Sequence, residues 1–172
     1  MKKLLSLLAI FTLLFAVAGC SSNEDEGKEE KAAEEKTAEL NDAAKSKIYN
    51  SVRIAELKVN EVFNKETAAD EETIVINSSF ADESSASAFL SKYYSEDLAK
   101  EMYAHYATDQ KSEDGKMIVN TEPFFNPSFL DTTQEDVKIE GNADKATVTT
   151  AENAAYTVEM QDENYVITGY EK

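Results

Sequence analysis

Two side chains have chemistry found nowhere else in the chain: Cys20, the one cysteine, and His105, the one histidine. A thiol can form a disulfide, ligate a metal, attack an electrophile or be covalently modified. The first route is closed within a chain that has no second cysteine. A metal site needs companions, and the sequence has no HxH, no HExxH and no cysteine cluster. As a general base, His105 would need a nucleophile or an orienting carboxylate beside it. Lying on an apolar helical stripe, it reads more simply as a hydrogen-bonded core or edge histidine. GxSxG and phosphate-loop glycines are absent from the sequence. Asp and Glu total 34, and abundance alone singles out no acid/base pair. The polar stretch Asp109–Gly115 lacks the alternate oxygen ligands and closing glutamate of a calcium loop. The expectation is no catalytic residue, no metal, no cofactor and no enzymatic activity.

The residues before Cys20 carry a pattern of their own. Lys2 and Lys3 precede Leu4–Ala18, an apolar run broken only by Ser6 and Thr12. The run is shorter than the ~20 residues a helix needs to span a bilayer, and its charged start and small-residue end fit a secretory leader. Val17-Ala18-Gly19-Cys20 resembles the lipobox of bacterial lipoproteins. The resemblance implies that residues 1–19 are a signal peptide and that Cys20 is acylated, with palmitate-type chains, as the first residue of the mature protein. Several acyl chains would secure the chain to the membrane. The expected location is the outer face of the cytoplasmic membrane. Ser21 is not an aspartate-type inner-membrane retention signal, and a Gram-positive envelope is favoured.

Charge narrows the partners. The formal net charge is −17 at pH 7, and the leader contributes two lysines and no acid, so the mature chain is more negative still. That disfavours nucleic acid, whose binding depends on cationic side chains displacing counterions, and direct contact with anionic lipid. It favours a basic envelope protein as partner and a monomeric state. Residues 20–42 form the expected tether. In Ser21–Asp42 nine residues are acidic and Leu40 is the only large aliphatic, so ordering would not be offset by burial. Extended, it would reach roughly 70 Å at ~3.3 Å per residue.

Residues 43–172 remain for a single domain. Asn41 or Asp42 caps a helix whose apolar positions, Ile48, Val52, Ala55, Val59 and Val62, recur at spacings of four, three, four and three. Ile54, Leu57 and Phe63 are expected to widen that face, and the helix to end near Asn64. Thr73–Asn77 is read as a strand. Asp82, Ser84 or Ser85 caps a short helix carrying Phe89, Leu90 and Tyr93. Ser95 caps the next, with Leu98, Met102, His105 and Tyr106 on its stripe. Met117–Val119 opens a strand. Pro123–Leu130, with two prolines and three phenylalanines, is irregular: either a loop that plugs the core or an aromatic contact surface. Val137–Glu140 with Ala146–Thr149, and Tyr156–Met160 with Tyr165–Thr168, alternate with period two as hairpins. Helices first and strands last predict an α+β domain, N-terminal helices packed on a curved antiparallel sheet formed mainly by the C-terminal half.

That element order, ending in Tyr165-Val166-Ile167-Thr168-Gly169, resembles the nuclear-transport-factor-like and cystatin-like α+β domains. The segments Leu90–Leu98, Asp114–Ile118 and Pro123-Phe124-Phe125 resemble the secreted DL-endopeptidase inhibitors of Gram-positive cell walls. From that family the chain departs in its lipobox and in lacking tryptophan. The functional expectation is a lipid-anchored protein-binding or regulatory module of the envelope, acting on a basic cell-wall enzyme. Its candidate binding residues are Phe124, Phe125, Phe129 and Tyr93. The alternative is a small-ligand-binding domain with a concave pocket lined by Tyr93, Tyr103, Phe124 and Tyr156.

Replacing Cys20 with Ala is expected to move the protein from the membrane to the soluble fraction. Retention of that variant on washed membranes would contradict the lipobox reading.

Overall fold

A computed structural model describes residues 40–172, which lie in one compact unit. The leader, Cys20 and all but the end of the tether lie outside the described residues.

Helix α1 (Asp42–Phe63) starts where Asn41 accepts a hydrogen bond from the Ala44 amide at 2.9 Å, an N-cap that satisfies one free donor of the first turn. Ile48, Val52, Ala55, Val59 and Val62 are at most 1% exposed, and Phe63 joins them. Ile54 and Leu57 do not: they are 46% and 50% exposed. The reason is angular. At about 100° per residue, Leu57 falls about half a turn from the buried stripe and Ile54 about a third of a turn.

After α1 a two-stranded ribbon, β1 (Glu66–Thr67) and β2 (Ile74–Val75), is closed by Asp70, which accepts from the Glu72 and Thr73 amides. Helix α2 (Glu83–Leu90) carries a reciprocal cap between Asp82 and Ser85, and Ser95 caps α3 (Glu96–Tyr106). Both caps fall on residues expected from the sequence. Met117–Val119, expected as a strand, makes only isolated bridges, Val75 with Ile118 and Lys111 with Met117. The Asn120 amide donates to the Tyr106 carbonyl instead of extending a ladder, and the chain turns off toward Pro123.

The C-terminal half is an antiparallel meander in the order β3 (Val137–Gly141), β4 (Lys145–Thr150), β5 (Ala155–Gln161), β6 (Asn164–Glu171). Asp162 and Glu163 both have positive φ, 46° and 66°, the backbone that a two-residue hairpin turn requires. A bulge lies between Thr157 and Val158, a device that increases local twist. Alternation places Ala146, Val148, Tyr156 and Val158 on the buried face, and α1 packs against β5 and β6. The Tyr93–Ser95 corner between α2 and α3 is tied to Ile167 of β6 by two backbone hydrogen bonds of 2.9 Å. The protein is therefore of the α+β class, with helices on an open antiparallel sheet.

Between helices and sheet lies the Pro123–Leu130 segment, which includes a cis Asn126–Pro127 peptide. Phe125 is 3% and Phe129 0% exposed. Their rings meet Tyr156 at 5.6 and 5.2 Å between centroids, with Phe125 also stacked on Tyr94 at 6.0 Å. The segment plugs the core. Phe129→Ala is expected to cost about 3–5 kcal/mol, read as a lower urea midpoint. A change under about 0.5 kcal/mol, the size expected of a surface site, would contradict that placement.

Candidate functional site

The sequence nominated four aromatic residues for a contact surface, and the fold separates them. Phe125 and Phe129 are inside the core, 3% and 0% exposed, and form no exposed aromatic surface with Phe124 and Tyr93; Phe125 reaches only the floor of a cleft. Phe124 is half-buried at the edge, its ring 5.4 Å from His105 and 6.1 Å from Tyr170. Tyr93, also half-buried, sits in another cluster with Phe89 and Phe80. Tyr103 packs on Phe63, while Tyr156 packs on Phe125, Phe129 and Tyr170. Tyr93, Tyr103, Phe124 and Tyr156 therefore line no common pocket, and the space against β5 is filled by Phe125 and Phe129.

His105 is an edge residue. Its Nε2 lies 2.7 Å from the Glu122 carbonyl oxygen; since a carbonyl only accepts, that nitrogen must carry the proton. The ring stands edge-on to Tyr106 and Phe124.

The arrangement that the sequence reading missed lies on α1. Ser46, Tyr49, Arg53, Glu56 and Asn60 follow one another at spacings of three and four, a second stripe beside the apolar one. Four of them hold the loop. The Ser46 hydroxyl donates to Gln134 Oε1 at 2.9 Å, and the Tyr49 hydroxyl to the Thr132 carbonyl at 2.7 Å. Arg53 Nη1 donates to the carbonyls of Leu130 and Thr132 at 3.0 and 3.3 Å. Glu56, 7% exposed, accepts from the Ser128 hydroxyl at 2.6 Å and from the Phe129 amide at 2.8 Å. The loop has little regular secondary structure, so its backbone groups need partners elsewhere; α1 supplies them for Phe129, Leu130 and Thr132, and the hydroxyls of Tyr106 and Tyr170 for Phe124 and Asn126.

Burial governs the electrostatics. It pushes the Glu56 carboxyl above its ordinary value of 4.5, against the opposing effect of the Ser128 and Phe129 hydrogen bonds, and nearby Asp131 raises it further. Burial also raises the phenols of Tyr94 and Tyr156, with the Glu56 charge adding to both. The hydroxyls of Tyr94 and Tyr156 are buried and carry no hydrogen-bond partner among the described residues, an uncommon state for native polar atoms. Glu56 thus stands at the centre of a buried polar group.

Beside it opens a cleft of about 290 Å³ between α1 and the loop. Glu56, Val59, Tyr106 and Phe125 form its buried floor, and Asn64, Thr121, Pro123 and Asn126 its exposed rim. Asn60 and Ser128 lie between floor and rim.

Comparison with protein-family models, with curated proteins and with solved structures gives no match. The site has to be read from its own chemistry.

Two outcomes are expected of Glu56. Glu56→Ala strands the Phe129 N–H and should cost about 1–3 kcal/mol in urea unfolding. Because the folded carboxyl holds its proton to higher pH than the unfolded one, it favours the folded state below the ordinary value of 4.5. That contribution fades as pH rises through the raised value. Glu56→Gln should remove this falling component from the stability profile measured from pH 4 to 8. An unchanged profile in the Gln variant would contradict the assignment.

Proposed function

We propose that this chain is a lipid-anchored, non-enzymatic protein-binding or regulatory module on the outer face of the cytoplasmic membrane, in a Gram-positive type of envelope. Its partner is a basic envelope protein of the cell-wall-enzyme kind. Cys20, in its lipobox-like context, is the attachment point, and the acidic stretch between it and Leu40 is the spacer. One observation carries the reading of the domain: Phe125, Phe129 and Tyr156 fill the space between helices and sheet. A domain with a plugged concavity offers its outer surface, and that surface belongs to a chain of net charge −17.

Local hydrogen bonding supports a durable negative surface. The Thr73 hydroxyl holds Asp70 below the usual carboxylate range, as the Ser85 amide does for Asp82. The hydroxyls of Ser112 and Thr133 do the same for Asp114 and Asp136. These groups remain ionised at mildly acidic pH, so attraction of a basic partner would persist there. Among the described residues no helix is long and apolar enough to cross a membrane, and in this reading attachment belongs to the lipid. The small-ligand alternative loses its central chamber and keeps one place in the molecule, the cleft beside Glu56.

The test is a pull-down from envelope extracts with the full chain as bait. Recovery of proteins of high isoelectric point, released when salt is raised toward about 1 M, where screening acts within roughly 3 Å, is the expected result. Recovery of nothing above background, or only of salt-insensitive acidic proteins, would overturn the proposal.

A further inference from the structure

The cleft beside Glu56 has a chemistry of its own. Its volume of about 290 Å³ is at the small end of ligand pockets, which run from about 300 to 1,000 Å³. It suits a fragment-sized molecule. The floor combines apolar walls, Val59 and Phe125, with one buried acid.

That acid lacks a countercharge. No ion pair among the described residues includes Glu56. Arg53, one turn away on α1, makes no ion pair with it and directs Nη1 to the carbonyls of Leu130 and Thr132. The nearby charge that acts on Glu56 is another acid, Asp131. A carboxylate offers about four lone-pair positions; Ser128 and Phe129 take two of them, and the Leu130 amide acts on the group more weakly. A buried carboxylate with unused acceptor capacity and no cation is unfavourable by itself, and a positively charged donor is the partner that would relieve it.

Other occupants fit less well. The charge of −17 and Glu56 itself repel anions. For a divalent metal the carboxylates are too few: no group of three His, Cys, Asp or Glu side chains able to hold one occurs among the described residues. A larger hollow of about 420 Å³ lies between the 68–73 turn and residues 111–118. Its one aspartate, Asp70, is committed to the turn through the Glu72 and Thr73 amides, and the other acid on its lining, Glu113, is exposed.

We infer that the cleft between α1 and the 121–128 segment binds a small organic cation with a primary ammonium head, received by Glu56. The apolar walls take its short carbon chain, and the side-chain amides of Asn60 and Asn126 take any polar tail. The negative field of the chain raises the local concentration of such cations. This goes beyond the protein-partner reading and uses a different surface, so either can fail without the other.

The test is an amide-resolved NMR titration of the full chain with n-butylammonium chloride, with n-butanol and tetramethylammonium chloride as matched controls. Butanol keeps the chain and lacks the charge; tetramethylammonium keeps the charge and has no N–H. Saturable shifts concentrated at Glu56, Asn60, Tyr106 and Ser128 are expected with butylammonium alone. Loss of the charge-assisted bond in Glu56→Gln should weaken binding by at least about tenfold. Thr121→Arg puts a cation at the mouth from an exposed position, leaves the loop anchorage intact, and should weaken binding in the same direction. This second variant keeps the test decisive if the Gln variant folds poorly. The inference is overturned by scattered or non-saturating shifts, by an equal response to butanol or tetramethylammonium, or by undiminished binding in Thr121→Arg.

Discussion

A carboxylate inside the core accepting the amide of Phe129 at 2.8 Å is the contact on which the rest of this fold leans. Phe129 is completely buried, in a segment whose regular structure is limited to short 3₁₀ turns, Phe129–Asp131 and Gln134–Asp136. Such a segment cannot enter a core unless its backbone polar groups are satisfied. Helix α1 does this with Tyr49, Arg53 and Glu56, which bind backbone groups of residues 129–132. The helix therefore has two working faces. One is apolar and lies toward the sheet; the other is polar and fastens the loop that fills the gap between them.

This division shapes the functional reading. An α+β domain with helices laid over an open sheet has a natural hollow at the sheet's concave side, where ligand-binding proteins place their sites. Here the hollow is occupied by the chain's own phenylalanines, and Tyr156 of β5 packs against them. In the proposed reading, recognition falls on the acidic outer surface and on a cleft at the loop's margin. The loop that fills the core also walls the cleft, since Phe125 lies in the core and on the cleft floor at once.

The fold class was legible because its signals are local. Asn41, Asp82 and Ser95 cap helices where the pattern placed them, and period-two alternation located the strands of the C-terminal meander. Periodicity failed at the margins of a face: Ile54 and Leu57 are apolar but lie round the helix from the buried stripe. It failed also at Met117–Val119, where strand-like residues had no continuous partner to pair with. The polar stripe was hidden for a different reason. Arg53 and Glu56 on a helix look like solvated charges, and only long-range contacts some 70 to 80 positions away give them their role. Two signals were present: the same three-and-four spacing as the apolar stripe, and a single arginine in a chain whose other sixteen basic residues are lysines. Both carbonyls are bound by one guanidinium nitrogen, Nη1, on a side chain that stays charged and rich in donors when partly buried.

The central claim is that the Phe-rich loop is an integral part of the core, held there by α1. Native-state hydrogen exchange at the Phe129 amide tests it most directly, because that N–H is both buried and bonded to Glu56. The account predicts that it exchanges only through global opening, with the same free energy as the most protected amides of α1 and β5. Exchange through a local opening several kcal/mol cheaper, while those amides stay protected, would contradict it and would make the loop a detachable surface element.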